Sequence, residues 1–428
     1  MKIAILTLIA ACEATTLASY ESFADMEKVA AIDLDVKEMS SLMNSGNFSY
    51  AKWIYEFGKN AEVTAGGYEI IQKFSTEIQS KAADLITEDL LLEYLTFTSY
   101  YGNNELYADL FVQNALTGEG EFKGLSNSAR KQLGVKGVQY QVFLMFVLRE
   151  LYEAIKFCVR NQGPRTAEWD EGAALYIGSQ VNVDGVGFLQ YSLPEKRKGS
   201  FGINANERAM AALTKGQEHI KNNECSQATG QLYEIRKSMQ IALLQGTVEY
   251  SFKSDLTYTS SPSDAARAEV WAFAAGVLPF VHDVDKSAAS IIRSNVEYSY
   301  RNANLSSTTN SEAVASAVYK ILPKLCISCE EFGTLSGLNT VCENNQAQLD
   351  LSCDALQLNA DQTVTNGSSG LSGGAITGIV VCGVAIVVIM IGVAFFMMKA
   401  PPANTSPSLK PEENTEEIAE DESTVSQV

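Results

Sequence analysis

The chain has 428 residues, 46% of them hydrophobic, and a formal net charge of −19. That acidic excess, with no basic patch interleaved with aromatics, excludes nucleic-acid binding and favours cations as partners. Histidine occurs only at His219 and His282, and no glycine-rich phosphate loop, HExxH or GxSxG pattern is present, so the chain is read as a non-enzyme.

Met1-Lys2, the apolar run Ile3 to Ala11 and the small residues up to Ala18 have the pattern of a signal peptide over residues 1–18. Residues 19–323 then carry a mainly helical ectodomain. Val138, Val142, Met145, Phe146, Leu151, Tyr152 and Ile155 recur at helical spacing, as do Leu232, Ile235, Met239, Ala242 and Leu243. A faint pseudo-repeat links Glu171-Gly-Ala-Ala-Leu-Tyr-Ile-Gly178 to Glu269-Val-Trp-Ala-Phe-Ala-Ala-Gly276, 98 residues later. Both read as tightly packed helices that carry an acid near their start.

Oxygen donors are plentiful, with 18 tyrosines beside the acidic excess, and carboxylate and phenolate oxygens suit hard cations such as ferric iron. Three places gather them. Glu168, Asp170 and Glu171 precede Tyr176; Glu150 and Glu153 share a helix face; and Glu269 is grouped with Asp283 and Asp285. Helix capping and solvated faces are the competing explanation, because the helix dipole alone favours acids near a helix start.

Cys158, Cys225, Cys326, Cys329, Cys342 and Cys353 form an even set, read as three disulfides. The last four, within 28 residues, define a small Cys-rich module over residues 324–358 with two local bridges, which leaves a long-range Cys158–Cys225 bridge. Asn47, Asn304 and Asn366 stand in glycan-acceptor triplets. A Gly/Ser-rich stalk follows over residues 359–374. Residues 375–398 are an uninterrupted apolar run long enough to cross about 30 Å of hydrocarbon, which predicts a single transmembrane helix. Residues 399–428 form an acidic tail with two lysines and seven acids. This order predicts a single-pass type I protein of the plasma membrane, with its ectodomain outside the cell.

Lys136-Gly-Val-Gln-Tyr140, Glu168-Trp-Asp-Glu171 leading to Tyr176-Ile-Gly-Ser179, Tyr191-Ser-Leu-Pro-Glu-Lys196-Arg197 and Ala265-Ala-Arg-Ala-Glu269 through Pro279 together resemble the low-iron-inducible periplasmic protein family of algae. The resemblance covers roughly residues 45 to 320, and the layout looks like that of the membrane-anchored, phytotransferrin-like members. It implies capture of Fe(III) with carbonate as synergistic anion, followed by endocytosis into endosomal vesicles, with endocytic or reductase partners. Carbonate needs cationic or backbone-amide partners, and Lys196, Arg197 and Arg267 stand in the matching segments. One departure is that Lys198-Gly-Ser-Phe follows Lys196-Arg197, where the family usually carries cysteines. The metal ligands inferred within this frame are Glu171, Tyr176, Glu269, Asp170, Glu150, Glu153 and Asp283. The alternative function, of a different class, is a structural or recognition ectodomain that binds no metal on the same scaffold.

Overall fold

The helical spacing around Val138 to Ile155 falls in one continuous helical run from Asn127 to Val159. A computed structural model describes residues 14–63, 66–181, 187–297 and 310–336, together with Cys342. The helices of the first half are α1 (Glu27–Ala30), α2 (Ile32–Asn44), α3 (Phe48–Phe57), α4 (Ile71–Thr76), α5 (Ile78–Ile86), α6 (Leu92–Tyr100) and α7 (Tyr107–Thr117). Next come α8 (Asn127–Gly137), a π-helical turn over Val138–Val142, α9 (Phe143–Val159) and α10 (Arg165–Ile177). The second half holds α11 (Ser192–Phe201), α12 (Ala205–Asn222), α13 (Cys225–Ser254), α14 (Asp264–Val284), α15 (Lys286–Val296), α16 (Ser311–Ile321) and α17 (Cys329–Phe332). Among the described residues the only sheet is a hairpin that pairs Thr16–Leu17 with Tyr20–Glu21.

Side-chain caps punctuate these helices as the turn-forming residues predict. Ser126, Ser263, Asp285 and Asn310 each accept a backbone N–H in the first turn of the helix that follows, which satisfies a donor that the helix itself leaves orphaned. α13 is the central pillar and packs against α9, α12, α14 and α16, while α14 lies against α8 as well. Small residues set the closest approaches. A Cβ on Gly276 of α14 would fall 2.7 Å from the Tyr140 carbonyl, and one on Gly216 of α12 would fall 2.0 Å from the Trp169 ring. Neither position has space for a side chain. Trp169 and Trp271 are both nearly fully buried in the shared core.

Two disulfides match the expected pattern. Cys158 at the end of α9 is bonded to Cys225 at the start of α13, and Cys329 is bonded to Cys342. Cys326 is also disulfide-bonded. Of the glycan acceptors, Asn47 is exposed and caps α3 through its side-chain oxygen. Asn304 and Asn366 lie outside the described residues.

The membrane expectation is corrected. Among the described residues no helix is long and apolar enough to cross a membrane, and the apolar faces of their helices bury against one another in a shared core. The fold class is therefore a mainly α-helical, disulfide-bonded body, and the single-pass, cell-surface reading with a membrane partner is not carried forward. The stalk, the run 375–398 and the tail lie outside the described residues. Within the span read as a signal peptide, Thr16 and Leu17 pair in the hairpin and Leu17 is buried. The chain divides into two units, Met1–Ser369 and Gly370–Val428, the second wholly outside the described residues.

Candidate cation site

α9 and α10 are joined by a tight reversal, with Asn161 and Gly163 both at positive φ (48° and 62°) and Pro164 just before α10. The two helices then pack very closely. A Cβ on Gly172 would sit 2.9 Å from Leu151 Cδ2 and 3.4 Å from Glu150 Cβ, so glycine is what lets α10 lie on α9 here. Glu168 and Glu171, three apart on α10, are brought by this approach onto Glu150 of α9. One carboxylate oxygen from each of the three lies within 4.8 Å of the other two. Glu150 is buried and its two partners are half-buried.

Three carboxylates so close resist full ionisation. Burial, and then the Glu168 carboxylate, push Glu171 up to about 7, with Arg149 opposing the rise. Glu150 is raised well above the usual carboxylate range, again by burial first and then by Glu171. Arg149 is the resident counter-charge: its Nη1 lies 2.6 Å from both Glu150 oxygens. A multivalent cation bound among the three oxygens would favour the ionised form of all three and replace the repulsion by attraction.

The other predicted ligands go elsewhere. Glu153 lies one turn along α9 but is held by Lys156 Nζ at 2.5 Å and faces Arg149 Nη2 at 3.7 Å. Asp170 is fully buried and accepts from Tyr20 Oη, the Phe23 and Ala24 backbone N–H groups and Gln217 Nε2, so it anchors the N-terminal hairpin. Tyr176 is fully buried and donates to Asn206 Oδ1 at 2.8 Å, and burial holds its phenol far above the usual range. Glu269 of α14 pairs with Lys136 Nζ of α8 at 2.6 Å. Asp283 is exposed, while Asp285 caps α15 and pairs with Lys324 at 2.6 Å. Glu171, Tyr176 and Glu269, all inferred as metal ligands, thus stand in three separate environments. Sequence spacing placed each on its helix face without specifying which helices would meet.

Lys196 and Arg197, with Lys136, gather near Glu269. Arg197 Nη1 lies 2.6 Å from Glu249 Oε2, with its Nε buried and unbonded, and Lys253 holds the other Glu249 oxygen at 2.6 Å. Lys196 is pushed down to about 8 by desolvation, then by the charges of Lys136 and Arg197. Arg267 is half-buried near the start of α14. Lys136 precedes Glu150 by 14 residues on the continuous helical run, roughly 21 Å at 1.5 Å per residue. The cationic group and the glutamate trio are therefore distinct centres.

Two participants are absent from the ligands inferred from sequence. Glu168 stands in the Glu168-Trp-Asp-Glu171 group but reads as a first-turn acid of α10. Arg149 was hidden because a lone arginine beside acids reads as a solvated pair. Comparison of the chain with protein-family models, curated proteins and solved structures found no match.

Proposed function

We propose that this chain is a binding protein for a hard multivalent cation, taken up between Glu150, Glu168 and Glu171, with ferric iron as its cargo. The observation that carries this reading is the convergence of three carboxylate oxygens, from two helices, to within 4.8 Å of one another around a partly desolvated point. All-oxygen donor sets of this kind select hard cations over soft ones. The choice of ferric iron, and a role in its uptake, rest on the resemblance carried by the Trp-Asp-Glu and Ala-Arg-Ala-Glu segments. Carbonate, if it accompanies the metal, has its best partners in Lys136, Lys196 and Arg197. The placement of Lys136 about 21 Å along the helix from Glu150 favours an anion bound separately over one that shares the metal's coordination sphere.

The test is an equilibrium titration of the full chain with ferric citrate, with and without bicarbonate, beside a Glu168→Gln/Glu171→Gln variant. Saturable binding by the native chain that the double variant loses supports the reading. Binding that survives the double substitution places the cargo elsewhere, and no saturable binding under either condition favours the scaffold without a metal function.

A further inference from the structure

Arg149 occupies an unusual position between two carboxylates. An arginine fork normally sends two N–H groups in parallel to the two oxygens of one carboxylate. Here a single nitrogen, Nη1, serves both oxygens of Glu150 at 2.6 Å. Nε is buried without any hydrogen bond, and Nη2 stops 3.7 Å from Glu153 Oε2, beyond hydrogen-bonding distance. Glu153 is only 6% exposed, and its Oε2, also buried, has no hydrogen-bond partner. Its other oxygen is already held by Lys156 Nζ at 2.5 Å. The guanidinium is thus committed to Glu150, with a second, unsatisfied carboxylate oxygen within an ångström or so of bonding reach.

We propose that Arg149 is a tethered counter-ion for the glutamate trio. It pairs with Glu150 in the empty site, and it shifts onto Glu153 when a hard cation enters between Glu150, Glu168 and Glu171. This inference rests on the reading of the trio as the cation site. The exchange accounts for the orphaned carboxylate oxygen: the move gives Glu153 Oε2 its missing donor and frees the Glu150 lone pairs for the metal. It also explains how three carboxylates stay together in a folded protein before a cation arrives, since an uncompensated buried charge is strongly destabilising. Glu153, one of the acids expected to ligate the metal, becomes the receiver of the displaced arginine, and Arg149 becomes a positioning residue that sets affinity.

The experiment is a terbium(III) luminescence titration of the full chain and four variants: Arg149→Gln, Glu153→Gln, the Arg149→Gln/Glu153→Gln double variant and Glu171→Gln. Arg149→Gln removes a positive charge that competes with the trivalent ion, and is expected to tighten terbium binding about tenfold or more. Glu153→Gln leaves the trio intact but removes the receiving carboxylate, and is expected to weaken binding by roughly tenfold. In the Arg149→Gln background the Glu153→Gln effect should largely vanish, a coupling that general loss of structure would not produce. If Arg149→Gln does not fold, weakened binding by folded Glu153→Gln supports the exchange and unchanged binding overturns it. If Glu171→Gln abolishes binding while Arg149→Gln leaves affinity unchanged or weaker, or Glu153→Gln acts equally in both backgrounds, the counter-ion role is overturned and the cation site stands. If terbium binding survives Glu171→Gln, both fall.

Discussion

Lys136 Nζ of α8 lies 2.6 Å from Glu269 of α14, and this pair ties α14 to the helix that leads into the π turn, whose Tyr140 carbonyl Gly276 of α14 approaches closely. Both side chains are 13% exposed, so neither charge has much water to fall back on. Glu269→Gln leaves Lys136 beside Lys196 and Arg197 with its direct countercharge gone. We expect a stability loss of about 3–5 kcal/mol, read by chemical denaturation, with cation affinity at the glutamate trio unchanged. A variant with native stability and lost cation binding would return Glu269 to the set of metal ligands.

Asp170 joins the N-terminal hairpin to α10 and α12 through four accepted hydrogen bonds. Asp170→Ala leaves Tyr20 Oη and Gln217 Nε2 without this acceptor. The expected cost is roughly 2–4 kcal/mol, with the first effect a loosening of residues 15–24 that hydrogen exchange or limited proteolysis would register. If that segment stays as protected as in the native chain, the anchoring role assigned to Asp170 is wrong.

Stability should depend on pH in a direction opposite to that of a protein held by ionised salt-bridged acids. Glu171 and Glu121 are both pushed up to about 7, the first by burial and then Glu168, the second by burial and then Glu297. An unfolded glutamate titrates near about 4.3, so between that value and 7 the native chain binds more protons than the unfolded one. These two groups therefore contribute stability that is fully present at acid pH and is lost as pH rises through 7. Thermal melts of the cation-free chain should show this contribution between about pH 5 and 7.5, and Glu171→Gln should flatten it. Identical pH profiles for the variant and the native chain would contradict the placement of Glu171 in a desolvated acidic cluster.

Cys158–Cys225 closes a loop of 67 residues between the end of α9 and the start of α13. Replacing both cysteines by alanine is expected to lower stability by about 3–4 kcal/mol, chiefly by freeing the unfolded chain. The fold itself should persist in native buffer, because α9 and α13 also pack directly. Unaltered denaturation midpoints would show that the bridge adds nothing beyond that packing.

Elements with a local physical signature were legible in the sequence. The apolar period from Val138 to Ile155 is helical, though the π turn at Val138–Val142 has no pattern that announces it. The Cys158–Cys225 pairing followed from the clustering of the other four cysteines. Glu150 and Glu171 could be singled out as acids on apolar helices, but their meeting depends on Gly172, whose missing side chain matters only once α9 and α10 are packed. Asp170 and Tyr176, adjacent to those acids in sequence, point into the core and are consumed by Tyr20 and Asn206, partners 150 and 30 residues away. Spacing along a helix fixes which residues share a face, whereas the partner of that face is set by long-range packing.

Terbium(III) bound to the crystalline chain and located by its anomalous scattering tests the central claim most directly. The account predicts one strong peak between Glu150, Glu168 and Glu171, with carboxylate oxygens at roughly 2.3–2.6 Å. A molecule that binds terbium in solution yet shows its peak beside Glu269, or on surface acids alone, would contradict it.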